Sequence, residues 1–142
     1  DMLWLTAGTF AQVEYRSGDN ESASGCTITT LYTLWRFMLK AGGTTTTVFN
    51  TGTLLSEVNL TTLHNDGTAR VINAVTITTL NNRSDYTHQS SGTITTSNCY
   101  PGSIAKALAP FTATTVNEWF GSQAFREQGV TVTVGTRNQI GW

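Results

Sequence analysis

Apolar and polar residues alternate along much of the chain, with the two-residue period of strands that bury one face. Ala11, Val13 and Tyr15 fall on one side, and Gln12, Glu14 and Arg16 on the other. With Leu3-Trp4-Leu5 ahead of them, they predict a half-buried strand over 2–16. The segment Thr27–Lys40 fits two patterns. Leu31, Leu34, Trp35, Met38 and Leu39 have helical spacing, yet the same residues suit a buried strand. The β-branched Thr27–Thr30 and Thr33 tip the reading to strand, with Gly42-Gly43 turning the chain into Thr44–Phe49. Leu54–Leu63 is a further strand, and Val130, Val132 and Val134 alternate with threonines in a last one.

The longest patterned stretch is Ala69–Cys99, which reads as one long β-hairpin. Val71–Leu80 is dense in β-branched residues, and Asn81-Asn82-Arg83-Ser84 is a polar break. Folding about Asn82 and Arg83 sets Thr79 opposite Tyr86 and Ile77 opposite His88. Asp66-Gly67, a hairpin-turn signal, feeds this element. Its outer arm, Tyr86–Ser97, is polar and predicts an open edge where another subunit adds a strand. Tyr86, His88 and Ile94, with the terminal Trp142, are therefore the candidate subunit contacts.

After Cys99 the texture changes. Ser103–Ala109 is alanine-rich and stops before Pro110, as a short helix does. Thr115-Val116-Asn117-Glu118 has capping-box spacing ahead of Val116, Trp119, Phe120 and Ala124, with Gly129 as a C-cap. Thr-Ile-Thr-Thr segments recur near residues 27, 76 and 93 at unequal intervals, which argues against a solenoid of fixed period. The predicted architecture is mainly β: a sandwich or barrel-like pair of antiparallel sheets. One or two short helices lie within 103–128, and residues 1–142 form one domain.

Composition sharpens the picture. Charged residues are 12% of the chain, about half the usual share, whereas threonine occurs 28 times. Such surfaces fit extracellular or virion assemblies better than a cytosolic enzyme. Net charge is −1 and no basic run occurs, so nucleic acid is not an expected partner. No apolar run is long enough to span a membrane. The first residue is Asp1 rather than Met, which suits a mature form whose leader has been removed.

Candidate chemistry is thin. Cys26 and Cys99 each adjoin a Thr-Ile-Thr-Thr segment, and would form a disulfide if those strands are neighbours. Neither has a Cys or His partner at metal-ligand spacing. Ser103-Ile104-Ala105-Lys106 matches the S-x-x-K pattern of serine acyl-enzymes, but its companion motifs are missing. Asp85 and His88, three apart on a strand, point to opposite faces. The acidic loop around Asp19 and Glu21, or Asp66 at its turn, supplies too few oxygens for calcium. Sequons occur at Asn20, Asn59 and Asn82; Asn20 and Asn82, in predicted loops, are the glycosylation candidates.

The expected function is non-enzymatic: a structural subunit of an extracellular or virion assembly such as a coat, tail, fibre or surface filament. Its partners would be copies of itself or other subunits, without metal or cofactor. The alternative is a carbohydrate-binding or adhesin module that stacks sugars on Tyr86, Tyr100 or Trp142. Ice binding by ranks of threonine would need a regular threonine spacing that the linear sequence does not display.

Overall fold

The computed structural model describes residues 4–15, 21–126 and 129–142. It is a single parallel β-solenoid, neither a sandwich nor a barrel, and no described residue is helical. The strands are β1 (Trp4–Tyr15), β2 (Glu21–Thr33), β3 (Arg36–Leu39), β4 (Thr44–Asn50), β5 (Thr53–Ser56), β6 (Leu60–Asn65) and β7 (Thr68–Asn73). They continue as β8 (Ile77–Asn82), β9 (Asp85–Ser90), β10 (Ile94–Cys99), β11 (Ile104–Ala107), β12 (Phe111–Trp119), β13 (Gln123–Ala124) and β14 (Val132–Ile140). The even strands stack in parallel from β2 to β14, and the odd strands from β3 to β13. The two stacks meet in β2, whose start pairs with β3 and whose remainder pairs with β4. β1 lies parallel against β2.

A six-residue motif builds each coil: an inward residue, two outward threonines, a second inward residue, an outward residue and a last inward one. Leu60-Thr61-Thr62-Leu63-His64-Asn65 and Ile77-Thr78-Thr79-Leu80-Asn81-Asn82 show it plainly. Strict alternation would send the first two inward residues, three apart, to opposite faces. Instead both are buried and both threonines face outward. The strand changes phase at each Thr-Thr pair, and the sheet bends around a corner there.

Stacked coils turn this motif into columns. Ile28, Thr45, Leu60, Ile77, Ile94 and Ala113 form one inward column, and Leu31, Val48, Leu63, Leu80, Ser97 and Val116 the next. Phe37, Leu54, Ala69, Tyr86, Ala105 and Ala124 close the core from the odd strands. A side chain in such a column packs chiefly on residues one coil away, as in any quasi-one-dimensional fold.

Buried polar residues form a third column. The Thr33 hydroxyl donates to Oδ1 of Asn50 at 2.5 Å, Asn50 Nδ2 to Oδ1 of Asn65 at 2.8 Å, and Asn65 Nδ2 to Oδ1 of Asn82 at 2.9 Å. The same amides donate to the carbonyl oxygens of Thr68, Asp85 and Ile104 on the odd strands. The ladder thereby satisfies backbone groups at a corner where no strand can.

Several expectations are corrected here. Ala69–Cys99 is not a hairpin: it holds most of β7 and all of β8, β9 and β10, and Thr79 pairs with Thr62 and Thr96 rather than with Tyr86. β-Branched residues suit parallel and antiparallel strands alike, so their density did not report direction. The one or two short helices expected within 103–128 are also absent among the described residues, where β11, β12 and β13 stand instead. Ser103–Ala109 contains β11, whose Ala105 and Ala107 face inward beside the large buried side chains of Tyr86 and His88. The capping-box residues Thr115–Glu118 lie inside β12.

The objection to a solenoid fails because the coil length varies. The motif begins at residues 28, 45, 60, 77, 94, 113 and 134, so successive coils take 17, 15, 17, 17, 19 and 21 residues. The extra residues sit in corner loops and leave the strand register intact.

Candidate functional site

Three outward ranks of threonine run along one edge of the solenoid. The first is Thr27, Thr44, Asn59, Thr76, Thr93, Thr112 and Thr133, one residue from each coil. The second lies two residues further on: Thr29, Thr46, Thr61, Thr78, Thr95, Thr114 and Gly135. The third, around the corner, is Thr30, Thr47, Thr62, Thr79, Thr96, Thr115 and Thr136, each paired with the next. With six threonines in each of the first two ranks and seven in the third, this edge takes 19 of the chain's 28. No Asp, Glu, Lys or Arg stands in any rank. The threonine excess and the scarcity of charge thus have one structural location. The clue in the sequence was the Thr-Thr pair after an inward residue, repeated six times, with Gly135-Thr136 as a seventh.

Beyond the third rank stands a mixed outward column. Tyr32, Phe49 and His64 stack face to face, with ring centroids 5.0 Å and 4.6 Å apart and planes within 10°. Asn81, Asn98, Asn117 and Asn138 continue the column through side-chain amide bonds of 2.8–2.9 Å. Partial burial pulls the His64 imidazole below its usual pKa; Arg83 adds to this and Asp66 opposes it.

On the odd-strand face a shallow groove of about 590 Å³ is lined by Leu55, Arg70, Ile72, Gln89 and Ser91, among others. The Arg70 guanidinium donates to Oε1 of Gln89. No carboxylate, histidine or cysteine lines this groove.

The interior also holds titratable groups. His88 is buried between the Tyr86 hydroxyl, 2.7 Å from Nδ1, and the Gly92 carbonyl oxygen, 3.1 Å from Nε2. Nε2–H donating to Gly92, with Nδ1 accepting from Tyr86, satisfies a neutral ring. Burial lowers the pKa of His88 to about 4. Glu118 is fully buried in β12. Arg126 donates to it through Nε at 2.9 Å and Nη2 at 2.6 Å, Arg137 through Nη1 at 3.2 Å, and the Ala124 backbone N–H at 3.2 Å. Burial by itself would raise its carboxyl, but these donors outweigh it and hold the group below the usual value.

The residues singled out in the sequence are scattered. Cys26 and Cys99 are buried and unpaired, in strands separated by β4, β6 and β8. Four strand spacings place them about 19 Å apart along the axis, far beyond disulfide reach. Tyr86, His88 and Ile94 are all buried in the core, so they offer another subunit no surface; Trp142 is exposed. Tyr100 has Trp119 stacked on it at 4.7 Å from the next coil and the Arg83 guanidinium at 4.5 Å from the previous one. Of the three aromatics considered as sugar platforms, only Trp142 has a free surface. Ser103 is buried with no hydrogen-bond partner for its hydroxyl, while Lys106, three along the strand, is exposed on the other face. Asn82 is locked in the buried ladder, and Asn20 lies outside the described residues. Among the described residues no three His, Cys, Asp or Glu converge as a metal site, and no helix is long and apolar enough to cross a membrane.

Comparison with protein-family models, with curated proteins and with solved structures returned no match.

Proposed function

We propose that the chain is a non-enzymatic structural solenoid of an extracellular or virion assembly, acting through its ends and its long faces. The observation that carries this reading is the unpaired edge of β14. β14 pairs with β12 on one side and with no described strand on the other. Its inward positions Val132 and Val134 are only half-buried, and Ile140 and Trp142 are exposed at the other end of the strand. An open parallel strand with apolar residues behind it is a template for one more coil. A strand of another subunit, or a second copy presenting β1, would complete it. Head-to-tail addition of this kind generates open filaments rather than closed rings.

Native mass spectrometry and negative-stain microscopy across a concentration series test it. Oligomers or filaments that dissolve when a lysine replaces Val134 are the expected result. A strict monomer at high concentration would overturn the proposal.

A further inference from the structure

We propose that the first two threonine ranks form an ice-binding face. The inference goes beyond the assembly reading, since it concerns the flank of the solenoid and not its ends.

The geometry is a two-dimensional lattice. Along the axis the ranks repeat at the strand spacing, about 4.8 Å, and along each strand Thr-x-Thr positions recur at about 6.7 Å. Over seven even strands the array extends about 29 Å. Thr27-Ile28-Thr29, Thr76-Ile77-Thr78, Thr93-Ile94-Thr95 and Thr112-Ala113-Thr114 each present two threonines outward around one buried residue. These two repeats lie close to those of the oxygen lattice on the prism faces of hexagonal ice. The unequal spacing in the linear sequence vanishes in space because the length differences sit in the corners.

The chemistry fits the same occupant. Each threonine offers one hydroxyl and one methyl, and its branched Cβ restricts χ1. A surface so fixed has little side-chain entropy to lose when it meets an ordered partner. The ranks carry no charge to attract a polyelectrolyte, and no Trp, Tyr or Arg of the kind that anchors a protein partner. The departures do not break the lattice. Asn59 takes a first-rank place, and its Oδ1 accepts the Thr76 backbone N–H at 2.8 Å, holding the two coils in register. Gly135 vacates only the terminal place of the second rank.

The test is partition of the purified chain into slowly growing ice, with crystal habit and thermal hysteresis read by nanolitre osmometry. The chain is expected to concentrate in the ice fraction and to facet the crystals. Thr78→Lys and Thr95→Lys, both at exposed mid-array positions, should reduce incorporation to that of an inert protein while far-UV circular dichroism and melting stay unchanged. Thr68→Lys, on the odd-strand face, should leave incorporation intact. Exclusion of the parent chain from ice would overturn the proposal, as would undiminished incorporation of folded Thr78→Lys. Retention on crystalline cellulose or chitin through these threonines, without entry into ice, would replace it with polysaccharide binding. Ice partition is read on whichever oligomer is present, so failure here and failure of the assembly reading are separate results.

Discussion

Nδ2 of Asn65 lies 2.9 Å from Oδ1 of Asn82 and 2.8 Å from the carbonyl oxygen of Asp85, so one buried amide joins two consecutive coils and closes their corner. Its own Oδ1 accepts from Asn50. Replacing Asn65 by leucine keeps the branched outline of the side chain and removes all three bonds. The Asp85 carbonyl, the Asn82 Oδ1 and the Asn50 amide each then lose a partner in a dry interior. At roughly 1–3 kcal/mol for each group left short, Asn65→Leu should cost about 3 kcal/mol in urea denaturation. A loss below about 1 kcal/mol would show that the ladder is ornamental to stability.

Gly67 supports the stack in a different way. A Cβ at Gly67 would collide with the carbonyl oxygen of Gly52, directly below it in the preceding coil. Backbone cannot step aside as a flexible side chain can, so Gly67→Ala should destabilise by at least about 2 kcal/mol. Gly102, by contrast, has φ of +83° and open space, with no atom within 4 Å of where an added methyl would sit. Gly102→Ala should therefore cost only backbone strain, about 1–2 kcal/mol. Thermal melts of the two variants should rank Gly67→Ala as the less stable.

Gly67 also shows what could be read in advance. Asp66-Gly67 does mark a change of direction, but the glycine is there for close approach between coils rather than for a hairpin. Strand content and the strand bias of Thr27–Lys40 were legible from alternation and β-branching, although that segment splits between β2 and β3 and the last strand, expected over 130–134, runs from Val132 to Ile140. Strand direction was not, because Val71–Leu80 would look the same in either sheet. The helical reading of Ser103–Ala109 took small residues for helix formers, when Ala105 and Ala107 are buried strand residues in register with Tyr86 and His88. The threonine edge stayed hidden for a related reason. Coils of 15 to 21 residues mask the period, and only the Thr-Thr pair that breaks alternation marks each corner.

His88 and Glu118 give the fold two separate acid sensitivities. His88 titrates near 6.5 in an unfolded chain and at about 4 when folded. Between these values the unfolded chain binds the extra proton, so stability rises with pH and is lost as pH falls from 6.5 toward 4. Between pH 7 and pH 5 the loss should be about 2 kcal/mol. Glu118 has its folded pKa depressed, so its contribution is present above the ordinary carboxylate range and is lost only at lower pH. Urea midpoints at pH 7 and pH 5 should differ in the parent chain and coincide more closely in His88→Gln. An equal pH 7 to pH 5 drop in that variant would rule out His88 as its source.

The cysteines allow a prediction about redox conditions. Cys99 is fully buried in β10, and burial pushes its thiol up to about 11. The thiolate, which is the reactive form, is therefore scarce at neutral pH, and the reagent has no path to it. Cys26 is also buried, in the middle of β2. Because about 19 Å of stacked strands separates them, no backbone adjustment short of unfolding brings the sulfurs together. Melting should be unchanged by reductant, and a thiol-specific dye should label neither cysteine in the native state and both in denaturant. Labelling of Cys99 under native conditions would mean that the coils above β10 open locally. The site to examine next would then be the Glu118 cluster, where Arg126 and Arg137 hold β12, the segment after β13 and β14 together.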